Sequence, residues 1–156
     1  MWKRNPRRWS KLQHQLYKII ATDIGFQIHC AVYPMHSQYG STGLPRYWIT
    51  LEGEIIFDYP KQFGTKERTS EDSLVAPYPY ETDVSDISNL IREYIDTQKE
   101  ELLTKVFEND SWGLIDILRA ADRRIGMRQL EMLKSTTQNI AAHKIIDARM
   151  AYQKIL

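Results

Sequence analysis

The sequence predicts an α+β protein: an N-terminal helix, a small three-stranded antiparallel sheet, and a C-terminal bundle of about five helices. Three observations point there. Two-residue alternation of apolar side chains is confined to residues 26–60. Helical spacing of apolar residues occupies the chain before and after that stretch. A strand–turn–strand pattern around Glu52-Gly53 marks a hairpin, so strands pair with their sequence neighbours rather than through crossover helices. Segregated strands and helices of this kind make an antiparallel sheet backed by helices.

After Pro6, residues Trp9, Leu12, Leu16, Ile19 and Ile20 form one apolar face of a helix, and Gly25 closes it. FQIHCAVY, residues 26–33, alternates as a strand, with Phe26, Ile28, Cys30 and Val32 on one side and Pro34 as its end. HSQYGSTGLP, residues 36–45, has loop chemistry. The hairpin occupies residues 46–60, and both of its faces carry large apolar side chains. Residues 61–82 are polar, then proline-punctuated, and suit a mobile loop. That loop would divide one domain, residues 1–156, into a helix-plus-sheet part, 1–60, and a helical part, 83–156.

From Asp83 onward only helices are predicted. Ile87, Leu90, Ile91, Tyr94 and Ile95 form the first stripe, with Thr82 or Asp83 as its cap. Thr97 and Glu100 have capping-box spacing ahead of Leu102, Leu103, Val106 and Phe107. A third helix is predicted from Ser111 to Ile125 and a short one over 127–134. A last one starts near Thr137, with Ala141, Ile145, Ala148 and Tyr152 on one face.

At 156 residues, 42% hydrophobic and 26% charged, the chain has the length and composition of a folded globular protein. Its net charge of +1 hides an uneven distribution. Residues 1–51 carry seven Lys/Arg against one acid, residues 52–110 six against fifteen, and residues 111–156 eight against four. The basic ends are expected to lie against the acidic middle. A single cysteine, Cys30, excludes an intrachain disulfide and a multi-cysteine zinc site. No apolar run approaches the roughly 20 residues of a membrane span, and the basic N-terminus lacks the apolar core of a secretory signal. A cytoplasmic setting is the expectation.

ILRAADRRIGMRQLEML, residues 117–133, gathers Arg119, Arg123, Arg124 and Arg128 around Gly126. On one long helix, Leu114, Ile117, Leu118, Ala121 and Ile125 would face a core, with Asp116, Arg119, Asp122 and Arg123 mainly opposite. Arg119 would then pair with Asp116 and Asp122 along the surface, and Gly126 would take the left-handed terminating position. On that reading Asp122→Ala and Arg123→Ala each shift stability by under about 1 kcal/mol, as surface pairs do. A helix-turn-helix fits less well. Asp122 would sit where two helices need a small residue, and Glu131 would repel phosphate beside the candidate base readers Arg128 and Gln129. A corner between helices is the better reading.

Catalytic chemistry is sparse. His29, Asp58 and Lys61 are the residues that a metal-dependent hydrolase or nuclease could use, since such sites gather carboxylates and a lysine near strand ends. Pro60 interrupts that arrangement, and a turn role for Asp58 and a half-buried place for His29 are the plainer assignments. Cys30 alternates with core residues and reads as core filler. No phosphate-binding glycine loop, nucleophile elbow or HExxH motif occurs, so no cofactor and no metal is expected.

WSKLQ (9–13), QIHC (27–30), LPRYWITL (44–51), EIIFDYPK (54–61), YPY (78–80), ISNLIREYIDT (87–97), WGLIDILRAADRRIG (112–126) and KIIDAR (144–149), taken in order, resemble a family of small uncharacterised bacterial proteins. The resemblance runs from Trp9 to near the C-terminus and implies a bacterial, cytosolic setting. It brings no activity and no site residue with it.

The residues therefore favour a non-enzymatic protein-binding or regulatory module. Its contacts would come from Tyr47, Trp48, Phe57 and Tyr59 on the hairpin, or from the ridge of Arg119, Arg123, Arg124 and Arg128, since aromatic and arginine side chains most often anchor interfaces. The partner would be another protein, with a second copy of this chain among the choices. Nucleic acid is the alternative, bound by Lys3, Arg4, Arg7 and Arg8, interleaved with Trp2 and Trp9, together with the basic C-terminal segment. Steep salt dependence would mark that alternative.

Overall fold

The computed structural model describes residues 9–37, 40–59, 85–108, 110 and 113–155. The predicted loop at 61–82, its flanking caps Thr82 and Asp83, Lys61 and the basic arm at 1–8 lie outside the described residues. The element order is α1 (Trp9–Tyr17), β1 (Phe26–Ser37), β2 (Gly40–Leu51), β3 (Glu54–Tyr59), α2 (Ser85–Ile95), a one-turn 3-10 helix (Lys99–Glu101), α3 (Leu114–Ala121), α4 (Met127–Thr136) and α5 (Ile140–Ile155). This is the α+β architecture that the periodicities predict.

The sheet is an antiparallel meander in the order β1-β2-β3. Strand β1 pairs with β2 from Phe26↔Leu51 to Ser37↔Gly40, so residues 36–37 and 40–45 belong to paired strands rather than to a loop. Pro34 does not end β1, because β1 is an edge strand and has a side that donates to no neighbour. Pro45 lies in β2 beyond the reach of β3, whose pairing starts at Tyr47↔Tyr59.

The second turn, Glu52-Gly53, holds both residues at positive φ, 52° and 83°. Two such residues match the right-handed twist of the strands they join. Glutamate is a poor occupant of that conformation. Here its carboxylate has a task that explains its presence: Oε1 accepts the Gly25 N–H at 2.8 Å, while Glu52 N–H donates to Gly25 O at 2.9 Å. The turn is thereby tied to the segment that leads into β1.

One face of the sheet supplies Phe26, Ile28, Tyr47, Ile49 and Leu51 to the core. Helix α2 adds Ile87, Leu90, Ile91 and Tyr94, the predicted stripe. Leu114, Ile117 and Leu118 of α3 and Ala142, Ile145 and Ile146 of α5 complete one continuous cluster with them. Helix α1 also closes the edge of β1. The Tyr17 hydroxyl accepts Ile28 N–H at 2.9 Å, and Gln13 Nε2 donates to Ile28 O at 2.7 Å.

Three predicted boundaries shift, each because a side chain takes over a backbone group. The helix expected after Thr97 is only a 3-10 turn: Arg119 donates from Nε to Leu102 O at 2.7 Å and from Nη2 to Lys105 O at 2.9 Å. Those carbonyls would otherwise accept the N–H groups four residues on. Thr97 caps nothing that follows and instead donates its hydroxyl to Glu93 O. Helix α3 spans Leu114–Ala121 rather than 111–125. Both oxygens of Asp110 meet its first free N–H groups, at Leu114 and Ile115, and Asp122 leaves the helix in an extended conformation. Helix α5 starts at Ile140, after Asn139 Oδ1 accepts the Ala142 N–H.

Gly126 corrects a further expectation. Its φ of −83° and ψ of 176° are extended, not left-handed, and it is the N-cap of α4. Its N–H donates to Gln129 Oε1 at 3.2 Å, but glycine offers no side chain for the reciprocal half of a capping box. A Cβ at Gly126 would meet nothing within 4 Å. Accordingly Gly126→Ser is expected to leave stability unchanged or raise it by a few tenths of a kcal/mol. Gly53→Ala, at positive φ, is expected to cost about 1 kcal/mol. Urea denaturation of the two variants beside the wild type checks both.

Candidate functional site

Two places gather the residues singled out by sequence. The first is the arginine-rich corner between α3 and α4. Asp122 is fully buried there, not on the surface. Local spacing gave no sign of this, because Asp122 lies past the end of α3 in an extended conformation and is buried by partners from elsewhere in the chain. Its Oδ2 accepts the Tyr94 hydroxyl at 2.6 Å and Arg124 Nη2 at 2.7 Å, and its Oδ1 accepts Arg124 N–H and Nε, each at 2.9 Å. A carboxylate buried this deeply is tolerable only when paired and hydrogen-bonded, and here it is both.

The backbone around it is equally occupied. Ile20 and Asp122 form an antiparallel bridge; Ala21 N–H donates to Ala121 O and Arg123 N–H to Ile19 O. Arg149, itself 8% exposed, reaches from α5 to Ala120 O, Asp122 O and Ile125 O. Burial pushes its guanidinium below the ordinary arginine value, with Asp23 and Asp122 acting against that shift. Its hydrogen bonds to the Asp122 carboxylate push the Arg124 guanidinium up. Burial first, then the negative charge of Asp122, pushes the Tyr94 hydroxyl well above its ordinary value.

Of the predicted arginine ridge, little is left to face a ligand. Arg119 is spent on Leu102 O, Lys105 O and Asp116 Oδ1, and Arg124 on Asp122. Arg123 is exposed and donates Nε to Lys18 O at 2.8 Å. Arg128 is exposed and makes no hydrogen bond or ion pair among the described residues. The expected Arg119–Asp122 pair does not form, while Arg119–Asp116 does, at 3.2 Å. Arg46–Asp58 and Lys144–Glu54 join the basic ends to the acidic middle; the remaining ion pairs among the described residues are local.

The second place is the sheet face turned away from the core. The four hairpin aromatics divide unequally between the faces. Tyr47 is 3% exposed, with its hydroxyl bonded to Ser88 Oγ and its ring edge-on to Trp9. Phe57 and Tyr59, registered on Ile49 and Tyr47, pack against the same core. Cys30 is beside Tyr47 on this inner side, and burial pushes its thiol up, away from the reactive thiolate.

Trp48 alone of the four faces outward. It is flanked in register by His29 on β1 and Asp58 on β3. The His29 ring stacks on it, with centroids 5.0 Å apart and planes 25° apart. Arg46, two residues back on the same strand, places its guanidinium carbon 4.7 Å from the Trp48 ring centroid. Asp58 fixes that guanidinium in a two-pronged pair, Nε–Oδ1 2.9 Å and Nη2–Oδ2 2.7 Å. His29 and Asp58, read from sequence as catalytic candidates, thus meet on one face, but with Trp48 between them and the carboxylate committed to Arg46. Among the described residues, no three His, Cys, Asp or Glu side chains converge on a cation site.

A model of the SF0329 protein family matches residues 8–150. The chain belongs to the SF0329 family. That match contains both the Asp122 corner and the outward sheet face. No curated protein and no solved structure matches the chain. No described helix is long and apolar enough to cross a membrane.

Two outcomes follow for the corner. Asp122→Ala is expected to cost about 3–5 kcal/mol, because Arg124 would be left partly buried without its counter-charge. Chemical denaturation measures this, and a loss under about 1 kcal/mol would restore the surface assignment. Tyr94→Phe is expected to cost about 1 kcal/mol at neutral pH. The folded state holds the Tyr94 proton more tightly than the unfolded chain does, so this contribution is full below the ordinary tyrosine value near 10 and falls as pH rises beyond it. The stability gap between wild type and Tyr94→Phe is expected to narrow above about pH 10, read from urea midpoints on either side of that value.

Proposed function

We propose that the chain is a non-enzymatic protein-binding or regulatory module of the bacterial cytosol, and that it engages a partner protein through the outward sheet face around Trp48. The observation that carries this reading is Trp48 itself. A large indole is kept out of the core, with His29 stacked on it and Arg46 packed against it. Tryptophan and arginine are the side chains that most often dominate protein interfaces, and a side chain already held in place loses little freedom on binding. Ile55, 51% exposed on the neighbouring strand, extends the same face with apolar surface.

Charge favours a protein over nucleic acid here. Arg46 is neutralised by Asp58, so among the described residues around Trp48 this face has no surplus arginine charge to seek phosphates. The C-terminal arginines that would have supplied a basic surface are largely engaged with backbone carbonyls and carboxylates.

The test is recovery of a partner by the full-length chain from nuclease-treated extract of its native host, with variants in parallel. A defined protein retained by wild type and by Arg128→Ala, but bound at least about tenfold more weakly by Trp48→Ala, is the expected result. Circular dichroism and thermal unfolding confirm that Trp48→Ala remains folded. Equal retention by Trp48→Ala overturns the reading. Recovery only of nuclease-sensitive, salt-labile material overturns it in favour of nucleic acid.

A further inference from the structure

Residues 1–22 contain six Lys/Arg and no Asp or Glu. Within this stretch α1 buries Leu12 and Leu16 and leaves Lys11, His14 and, just past its end, Lys18 exposed. Positions 11, 14 and 18 are spaced by three and four residues, so they share the side of α1 turned away from the two leucines. The corner brings a further cation to the end of this row. Arg123, also exposed, donates its N–H to Ile19 O and its Nε to Lys18 O at 2.8 Å. Its guanidinium is thereby held beside Lys18, although the two residues are 105 apart in sequence.

No carboxylate among the described residues pairs with this row. Elsewhere Lys105, Lys134 and Lys144 each meet an acid. The side chains of Lys11, His14 and Lys18 make no hydrogen bond or ion pair among the described residues, and both Nη atoms of Arg123 are likewise without a partner there. Nearby acids are committed to other cations. Asp122 is buried against Arg124 and Tyr94, and Asp23 acts on the buried Arg149. On α2, which packs against α1, Glu93 pairs with Lys105. A row of like charges without internal compensation attracts an anionic partner from solution.

We propose that the outward side of α1, continued by Arg123, is a docking surface for the phosphate backbone of a nucleic-acid duplex, held without regard to base sequence. The match is one of charge: phosphates repeat along a duplex, and a row of exposed cations meets several of them at once. The aromatics of α1 favour a duplex over a single strand. Trp9 turns its ring edge-on to Tyr47, and the Tyr17 hydroxyl is bonded to Ile28 N–H. Both rings are thus held inward, and α1 offers charge without the stacking platform that unpaired bases require. This surface is separate from the Trp48 face, because α1 packs on the core side of the sheet and Trp48 points away from it.

The probe is a fluorescent DNA duplex of mixed sequence, titrated with the full-length protein and followed by anisotropy across a salt series. Saturable binding with a Kd of about 10 μM or below is expected at about 50 mM salt. Contacts from Lys11, Lys18 and Arg123 predict a slope of log affinity against log salt of about −2.7 or steeper. Lys11→Gln combined with Lys18→Gln is expected to weaken binding by about tenfold or more and to lower that slope by about 2. Arg123→Gln is expected to lower it by about 1. Lys134→Gln, whose lysine pairs with Asp147, and Trp48→Ala are expected to leave duplex binding unchanged. Absence of saturable binding overturns the proposal, as does a slope unmoved by the α1 and Arg123 variants. Equal or tighter binding of a single strand, of polyglutamate or of phosphatidylserine vesicles overturns it in favour of that partner.

Discussion

The carboxylate of Asp122 is the interaction on which the rest of the structure depends. Buried completely, it must be paired, and its partners fix the geometry around it. Tyr94 brings α2 to it, Arg124 closes the corner into α4, and the bridge to Ile20 draws in the segment after α1. An acid at this place makes α3 stop at Ala121, because a continuing helix would point the side chain elsewhere and leave Ile20 without a backbone partner. Four elements distant in sequence thus converge through one side chain and the peptide groups beside it.

Arginine plays a consistent second part. Arg119, Arg123 and Arg149 donate to main-chain carbonyls in turns and at the end of α3. A buried carbonyl without a partner is costly, and a guanidinium can satisfy several at once. The basic C-terminal segment is therefore largely an internal fastening. Its net charge of +4 in sequence translates into few free cations among the described residues: a charge count marks an electrostatic surface only if the charges reach it.

The sheet separates two kinds of aromatic. Tyr47, Phe57 and Tyr59 fill the space between sheet and helices, whereas Trp48 is held on the other face by His29, Arg46 and Asp58. This division follows from the two-residue period of a strand: one step along β2 moves a side chain from core to outer face. The proposed binding role rests on that outer face.

The sequence by itself determined the class of fold, the hairpin at Glu52-Gly53, the α1 and α2 stripes and the existence of a corner near Gly126. All of these depend on local periodicity or turn chemistry, which neighbouring residues encode. Which hairpin face was free, where α3 ended and whether Asp122 was buried were decided by tertiary structure. A surface aspartate and a core aspartate have the same one-letter code, and their difference is made by Tyr94, Arg124 and Ile20 arriving from 28, 2 and 102 residues away. The predicted helix after Thr97 was lost for the same reason: local spacing favoured it, but a side chain from α3 claimed its carbonyls. Arg46, which fixes the Trp48 platform, carried no local signal of that role, because its partner Asp58 becomes a neighbour only once β2 and β3 pair.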